Sequence, residues 1–349
     1  MSASGKNLVV THSSALSRPI PVTADDVARL RALAKNRHAK NTQRAYKADW
    51  EHFEAWSASR GGDPRQATPT NVASYLAQLG EEDFQYSSIA RASAGIMREL
   101  ARYDKGVWLS RPPEVQETLS HLAKELGKAP RYDKRPMTLA LLERGVPRAY
   151  PGRSLRELRN VALALCGYFL ASRRSELVGL QMTNIDTTEN SKGYYTFTFE
   201  RSKTDQEGEG IRKSVYRQAG AALCPIRSLV DWLVGAGLVH DGIREQGPVF
   251  LELSQAGTLL DRAASVEAVS VAVKEIAKAA GVRPADYGAH SLRSGFVTDS
   301  AAKGIPLEEI AHQTGHRSLE QLRKYIRRLH PAENNPTEGF AARAKLVRR

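Results

Sequence analysis

Cysteines and long apolar runs are both scarce in this chain of 349 residues. Its two cysteines, Cys166 and Cys224, form no Cys-x-x-Cys pair, so neither a zinc knuckle nor a disulfide framework is indicated. The longest apolar run, Val161 to Ala171, is too short to span a bilayer, and the N-terminus lacks the charged-then-apolar order of a signal peptide. The G-x-x-x-x-G-K-S/T loop and the H-E-x-x-H box are missing too. We therefore expect a soluble, intracellular protein with two buried thiols.

Acidic residues are too few to balance the basic ones. The chain has 38 Asp and Glu against 51 Lys and Arg, which leaves a formal net charge of +13. Such an excess favours a polyanionic partner. Nucleic acid is the leading candidate, while an anionic membrane surface and a merely basic housekeeping protein are the alternatives.

The hydrophobic pattern is mainly helical and predicts two domains of a mainly α fold. Residues 1–22 are Ser-rich and aperiodic, as in a flexible tail, and residues 23–126 predict a helical N-terminal domain. The polar, Pro-containing stretch 127–136 is interpreted as a linker. Residues 137–332 predict an α-rich domain with a small antiparallel β-sheet, and residues 333–349 form a C-terminal tail or helix.

Several elements can be placed individually. In the first domain, Thr42 is positioned to cap a long helix, whose aromatic residues recur at helical spacing: Tyr46, Trp50, Phe53 and Trp56. In the second domain, Leu158 to Ala171 predicts an apolar helix. The alternating stretch Tyr194 to Phe199 predicts a strand, with Ile211 to Arg217 as its hairpin partner.

Two arginines suit the binding of a phosphodiester. Negative charge grows on the phosphate oxygens during cleavage, and a guanidinium group can hold two of those oxygens at once. Arg293 lies three residues after His290, so the two are expected on one helical face. Arg173 is the second candidate, and Glu176, one helical turn away, is expected to orient it.

Tyr325 is the candidate nucleophile for attack on that phosphodiester. It follows His316 by about two and a half turns on what we expect to be one helical stretch. His290 is assigned as the acceptor of the phenol proton, and His316 as a hydrogen-bonding partner of a phosphate oxygen. Lys203, in the predicted hairpin turn, is assigned as the donor of a proton to the departing sugar oxygen.

Each of these residues also has a purely structural interpretation. Tyr325 lies among apolar residues and resembles a half-buried core phenol, and Lys203 alone is an ordinary solvated turn residue. His316 follows a glycine, as a residue at a helix start does. Arg173 stands beside Arg174, and residue type alone barely separates the two. The order and spacing of the whole set favour the catalytic interpretation.

The same residues resemble the motifs of the tyrosine recombinase (phage integrase) family. The family's Arg-x-x-Glu-Leu pattern matches Arg173 to Leu177, and its hairpin lysine matches Lys203. Its His-x-x-Arg box matches His290 to Arg293, and its Gly-His box and tyrosine match Gly315-His316 and Tyr325. The match assigns Arg173, not Arg174, as the first catalytic arginine. The overall layout is similar to that of the Cre-type simple recombinases, although Cre has tryptophan where this chain has His316.

The resemblance implies a site-specific DNA recombinase that uses no metal and no other cofactor. Tyr325 is then the residue that forms a 3′-phosphotyrosine, with strand exchange through a Holliday junction in a homotetramer on two sites. The implied partner is double-stranded DNA with inverted-repeat sites, held by a core-binding domain (23–126) and a catalytic domain (137–332) that form a C-shaped clamp. The expected location is the cytoplasm, in association with the nucleoid, and no membrane partner is implied.

Contacts with DNA are expected from basic residues of both domains, mostly to phosphate. The candidates are Lys40, Arg44, Lys47, Arg91, Arg98 and Arg262. Residues 333–349 have two interpretations, a helix that docks into a neighbouring subunit and a frayed basic terminus. Two other functions are weighed against recombination: a relaxing topoisomerase or telomere resolvase with the same chemistry, and a DNA-binding protein that has lost catalysis.

Overall fold

The computed structural model divides the chain into two compact units, Met1–Arg131 and Tyr132–Arg349. It describes residues 40–108, 110–128, 134–152, 154–199, 210–219, 221–239, 246–316, 318–320 and 322, together with Thr23, Asp25 and Arg29. Among these residues helices predominate and the sheets are small and antiparallel. The predicted fold class, mainly α with a small antiparallel sheet, is thereby confirmed. The predicted domain limits and the C-shaped arrangement stay predictions.

The first unit is a helical domain around an aromatic and aliphatic core. Its helices are α1 (Lys40–Ser59), α2 (Pro69–Glu81), α3 (Tyr86–Leu100), α4 (Lys105–Trp108) and α5 (Pro113–Glu125). Helix α1 packs on α3, and α2 packs on α5. Phe53, Tyr75 and Ile89 are fully or almost fully buried at the centre. Thr42 lies inside α1, so the prediction that it caps this helix is wrong, whereas Thr68 does cap α2 through its hydroxyl.

The second unit is built around one buried helix. Its first elements are α6 (Leu139–Ala149), α7 (Leu155–Phe169), α8 (Arg174–Val178), β1 (Ile185–Asp186), β2 (Tyr194–Phe199) and β3 (Ile211–Tyr216). The remaining elements are α9 (Pro225–Gly235), β4 (Leu251–Leu253), β5 (Leu259–Ala263), α10 (Val266–Ala279), α11 (His290–Ala302) and α12 (Leu307–Thr314). Helix α7 packs against α9, α10 and α11. Because it is covered on several sides, its apolar residues extend around the helix instead of forming one stripe.

Strands β1, β2 and β3 form one antiparallel sheet in that order, and β4 pairs with β5. The predicted hairpin is confirmed, because Phe199 pairs with Ile211 and Phe197 pairs with Lys213. Along β3 the exposed residues alternate with buried ones, and Lys213 and Val215 point inward. A lysine thus occupies a core-facing position in the sheet.

The chain enters the second unit across helix α11. The backbone N–H of Arg135 donates to Asp286 O, and that of Met137 donates to Ser291 O, both at 2.8 Å. Gly295 makes the close approach possible, since a Cβ atom there would lie 1.9 Å from Met137 O. Met137 is thereby fixed on the helix that carries Arg293, and Arg135 on the turn just before that helix.

Candidate active site

The site is assembled at the C-terminal end of helix α7. Three consecutive carbonyl groups there accept hydrogen bonds from side chains of three other elements. The pairs are Gln313 Nε2 with Phe169 O at 2.9 Å, Lys213 Nζ with Leu170 O at 2.9 Å, and Arg293 Nη1 with Ala171 O at 2.7 Å. Carbonyls at the end of a helix lack intrahelical partners, and cations are favourable there. Strand β3 and helices α11 and α12 therefore meet at this point.

The backbone just after α7 adopts an unusual conformation. Ala171 has a φ of +46°, a value that is uncommon for a residue with a side chain. Such a conformation persists where the surroundings fix it, and here the buried guanidinium group of Arg293 holds the Ala171 carbonyl. The predicted helix Leu158 to Ala171 accordingly ends at Phe169, and a separate helix, α8, begins at Arg174.

Arg173 lies immediately before α8 and is held by Glu176. One carboxylate oxygen of Glu176 accepts from the guanidinium group at 2.5 Å, and the other accepts from the Arg173 backbone N–H at 2.9 Å. Burial raises the pKa of Glu176, but these hydrogen bonds and the charges of Arg173 and Lys213 outweigh it, so the pKa is lowered. Arg174, in contrast, is exposed. The structure thus distinguishes these two neighbouring arginines, which residue type alone does not.

Arg293 is almost completely buried, with 1% of its surface exposed. It lies in the first turn of α11, three residues after His290, which is exposed at the start of that helix. One guanidinium nitrogen donates to Ala171 O and the other contacts His316 Nε2 at 3.1 Å. This arginine therefore joins the strained turn after α7 to the histidine.

His316 comes just after helix α12 rather than within a helix. Gly315, with a φ of +67°, ends α12, and the His316 backbone N–H donates to Ala311 O at 3.0 Å. This is a glycine-dependent helix end of the usual kind. The prediction that His316 and Tyr325 share one helical stretch is wrong for His316. This residue lies outside α12, which ends at Thr314, and it is not itself helical.

Burial and the positive charges around the His316 ring keep that ring neutral. Burial lowers its pKa to about 3, with further lowering by Arg293, Arg173, His290 and Lys213 in that order. At neutral pH the ring therefore carries no charge in the free protein. An anionic phosphate bound among these cations would reverse part of that effect, since an opposite charge favours the protonated form.

Lys213 is a buried member of the site that the sequence interpretation treated only as part of a strand. It is 3% exposed, and its ammonium group lies 5.0 Å from the centre of the Phe199 ring. Burial lowers its pKa to about 7, helped by Arg293 and Arg173 and opposed by Glu176. The signal was present in the sequence: Lys213 alternates with Val215 on the inward face of a strand.

Several predicted DNA contacts have other partners in the free protein. Arg91 forms a bidentate ion pair with the buried Asp49, and both distances are 2.9 Å. This pair links α3 to α1. Lys47 pairs with Glu51 at 3.5 Å on the surface of α1, and Arg98 lies 5.9 Å from the Tyr46 ring. Arg44 and Arg262 are exposed. Contact of any of these residues with DNA stays a prediction.

Some of the predicted site lies outside the described residues. This applies to Lys203 and Tyr325, to the tails 1–22 and 333–349, and to the side chain of Lys40. The structure thus brings together Arg173, Glu176, Arg293 and His316, with His290 near enough to lower the pKa of His316. Within the described ranges, every helix is too short or too polar to serve as a membrane span.

Comparison with known proteins gives the same assignment for both units. Residues 152–330 match the model of the phage integrase family, and residues 30–103 match that family's N-terminal SAM-like domain. An integrase/recombinase XerD homologue from Selenomonas ruminantium is 29% identical over 298 residues, which cover 85% of this chain and 84% of the relative. The chain belongs to the phage integrase family, and it is a tyrosine recombinase, an enzyme of site-specific recombination.

Solved structures show the same fold. A XerH site-specific recombinase bound to palindromic difH substrate, in a post-cleavage complex, aligns with a TM-score of 0.63 at 16% identity, over 92% of this chain and 84% of that one. The Tn1549 transposon integrase in complex with transposon right-end DNA aligns with a TM-score of 0.58 at 15% identity, over 91% and 97% of the two chains.

Proposed function

We propose that Tyr325 attacks a DNA phosphodiester and forms a 3′-phosphotyrosine, with release of a 5′-hydroxyl. The phenolic O–H bond breaks and an O–P bond forms, while the bond from phosphorus to the departing 5′ oxygen breaks. The hydroxyl of a partner strand then reverses the step and joins the new strand. Because the energy of the broken phosphoester bond is conserved in the new phosphotyrosine bond, no nucleotide cofactor is needed.

The observation that carries this proposal is the grouping of Arg173, Arg293 and His316 at the end of α7. Arg293 contacts His316 directly, and Arg173 is near enough to depress the histidine pKa. A phosphate among these groups would gain two guanidinium donors at the point where negative charge develops. Glu176 orients Arg173 through both its side chain and its backbone.

The remaining roles follow the family motifs. Lys203 protonates the departing sugar oxygen, His290 accepts the phenol proton, and His316 hydrogen-bonds a phosphate oxygen. These three roles use a general acid, a general base and an electrostatic stabiliser, the set that phosphodiester cleavage by an unactivated phenol requires.

The proposed assembly is a homotetramer on two DNA sites, with strand exchange through a Holliday junction. Each site is an inverted repeat, and both units of the chain hold the duplex as a C-shaped clamp. The XerH recombinase of similar fold is bound to a palindromic difH substrate, which supports this arrangement. We further propose Cre-type action at simple sites, docking of residues 333–349 on a neighbouring subunit, and association with the nucleoid.

A trapped covalent intermediate tests the chemistry. The target is first selected from a randomised duplex library with the purified protein, and a duplex nicked next to the scissile phosphate is then made from it. Loss of the short fragment prevents religation, so the protein–DNA adduct accumulates and is seen as a slower band on a denaturing gel.

The expected result is an adduct with the wild type and none with Tyr325→Phe, while both bind the duplex equally. Absence of an adduct on a duplex that the wild type binds tightly contradicts the proposal and favours a protein that only binds DNA. An adduct that persists in Tyr325→Phe contradicts the choice of nucleophile. Relaxation of supercoiled plasmid without exchange between two sites favours a topoisomerase.

A further inference from the structure

The hydroxyl group of Thr314 holds the ring of His316 from the side opposite Arg293. Thr314 is the last residue of α12, and only 1% of its surface is exposed. Its Oγ1 lies 2.7 Å from His316 Nδ1, 2.7 Å from Ile310 O and 3.2 Å from Ala311 O. A hydroxyl group has one proton to donate and two lone pairs to accept with.

These contacts assign the tautomer of the ring. A carbonyl oxygen only accepts, so the Thr314 proton goes to Ile310 O or Ala311 O, and Oγ1 must accept from His316 Nδ1. At the other end of the ring, Arg293 only donates, so Nε2 must be the acceptor of that contact. Two independent partners thus require a proton on Nδ1 and a lone pair on Nε2.

We propose that Thr314 is a positioning residue, whose buried hydroxyl fixes His316 as the Nδ1–H tautomer and so directs Nε2 toward the phosphate site. This inference rests on the proposed function, since it assumes that a phosphate binds between Arg293 and Arg173. Nδ1 already carries a proton, so any further proton that the ring takes up must go to Nε2. Arg293 Nη2 then turns from Nε2 to the phosphate, and the ring donates from Nε2 to a phosphate oxygen while Nδ1–H stays bound to Thr314.

Without the hydroxyl, Nδ1–H loses its acceptor at Thr314, and only the contact between Arg293 and Nε2 still favours a proton on Nδ1. The Nε2–H tautomer would then place a donor against the donors of Arg293, and the ring or the arginine would have to move. Because Arg293 also holds the Ala171 carbonyl, the displacement would reach the turn before Arg173. The cost is expected in the rate of DNA cleavage and not in DNA affinity.

The test uses Thr314→Val, which removes the hydroxyl at nearly constant volume, and Thr314→Ser, which keeps it. Thr118→Val is the matched control: Thr118 makes the same bond to the carbonyl four residues back, Glu114 O at 2.8 Å, in the other unit. Two-bond proton–nitrogen NMR spectra of the full-length free protein show which imidazole nitrogen of His316 carries the proton, with the signal assigned by His316→Gln. Adduct formation on the nicked duplex and affinity for it are measured in parallel.

The expected spectrum shows the Nδ1–H tautomer in the wild type, Thr314→Ser and Thr118→Val, and loss of that tautomer in Thr314→Val. Adduct formation by Thr314→Val is expected to fall about 10- to 100-fold, less than the roughly 100- to 10,000-fold contribution of a whole acid–base group because His316 itself is kept, with unchanged affinity. Thr314→Ser is expected to stay near the wild-type rate. If Thr314→Val does not fold, Thr314→Ala provides the same measurements.

An Nε2–H tautomer in the wild type overturns the inference, as does an unchanged tautomer or an unchanged rate in the variant without the hydroxyl. The NMR measurement needs no DNA. Its result therefore stands even if the wild type forms no adduct, in which case it is the proposed function that fails.

Discussion

Replacement of Lys213 by methionine should change how the stability of the second unit depends on pH. The lysine is buried, donates to Leu170 O, and has its pKa lowered from 10.5 to about 7, chiefly by burial. Methionine has a similar length, fills the space beside Phe199 and carries no proton. The comparison therefore isolates the ionisation of one side chain.

The sign follows from the two pKa values. Between about pH 7 and 10.5 the unfolded chain holds the proton on Lys213 while the folded protein releases it. Stability rises with pH wherever the unfolded state binds more protons. One such group contributes at most about 1.4 kcal/mol per pH unit. From pH 7.0 to 8.5 the free energy of unfolding of the wild type should therefore rise by roughly 1.5 kcal/mol relative to that of Lys213→Met.

The measurement is urea unfolding at several pH values in that interval, followed by fluorine NMR of 5-fluorotryptophan at Trp232. This residue lies in the second unit, whereas Trp50, Trp56 and Trp108 lie in the first. The interval stops below pH 9 because burial raises the pKa of Cys166 from 9.0 to about 12, which gives a trend of opposite sign at higher pH.

Arg212→Met is the control, since Arg212 is the exposed neighbour of Lys213 on the same strand. The difference in free energy of unfolding between Arg212→Met and the wild type should not change between pH 7.0 and 8.5. The difference in free energy of unfolding between wild type and Lys213→Met could also stay constant from pH 7.0 to 8.5. That result would show that the pKa of Lys213 is not lowered in the folded protein. The account of the site as a cluster of competing cations would then be wrong.

Four further predictions concern the site and the DNA contacts. Arg293→Lys should lower adduct formation roughly 100- to 1000-fold in a gel assay, because a lysine cannot hold Ala171 O and a phosphate together; activity within tenfold of wild type would contradict this. The NMR signals of His316 in the free protein should not titrate between pH 5 and 8, since its pKa is about 3; a midpoint near 6.5 would be the contrary result. Arg44→Ala should make the dependence of log affinity on log salt shallower by about 0.9, as for one lost phosphate contact. Arg91→Ala should instead lower the melting temperature, because it leaves the buried Asp49 unpaired.

Periodicity in the sequence was enough to predict the fold class and the hairpin. Periodicity predicted the ends of helices less well, because those ends depend on contacts with distant parts of the chain. Helix α7 stops at Phe169 although apolar residues continue to Ala171, since Arg293 from α11 holds the turn. Thr42 has the composition of a cap yet lies inside α1.

The motifs predicted which side chains meet, but not what holds them. Arg173 and Glu176 are three residues apart, so their ion pair could be expected from spacing. The contact between Arg293 and His316 joins residues 23 positions apart, and that between Lys213 and Leu170 joins residues 43 apart. No local pattern specifies such pairs. One sign of these contacts was present in the sequence, namely that Lys213 falls on the inward face of its strand.

The way in which residues 134–137, at the start of the second unit, are held has a mechanical consequence. Arg135 is hydrogen-bonded to Asp286 just before α11 and Met137 to Ser291 within it, and Gly295 leaves no space between that helix and the Met137 carbonyl. A displacement of this segment would therefore be passed on to the turn before α11 and to the start of the helix that carries the buried Arg293.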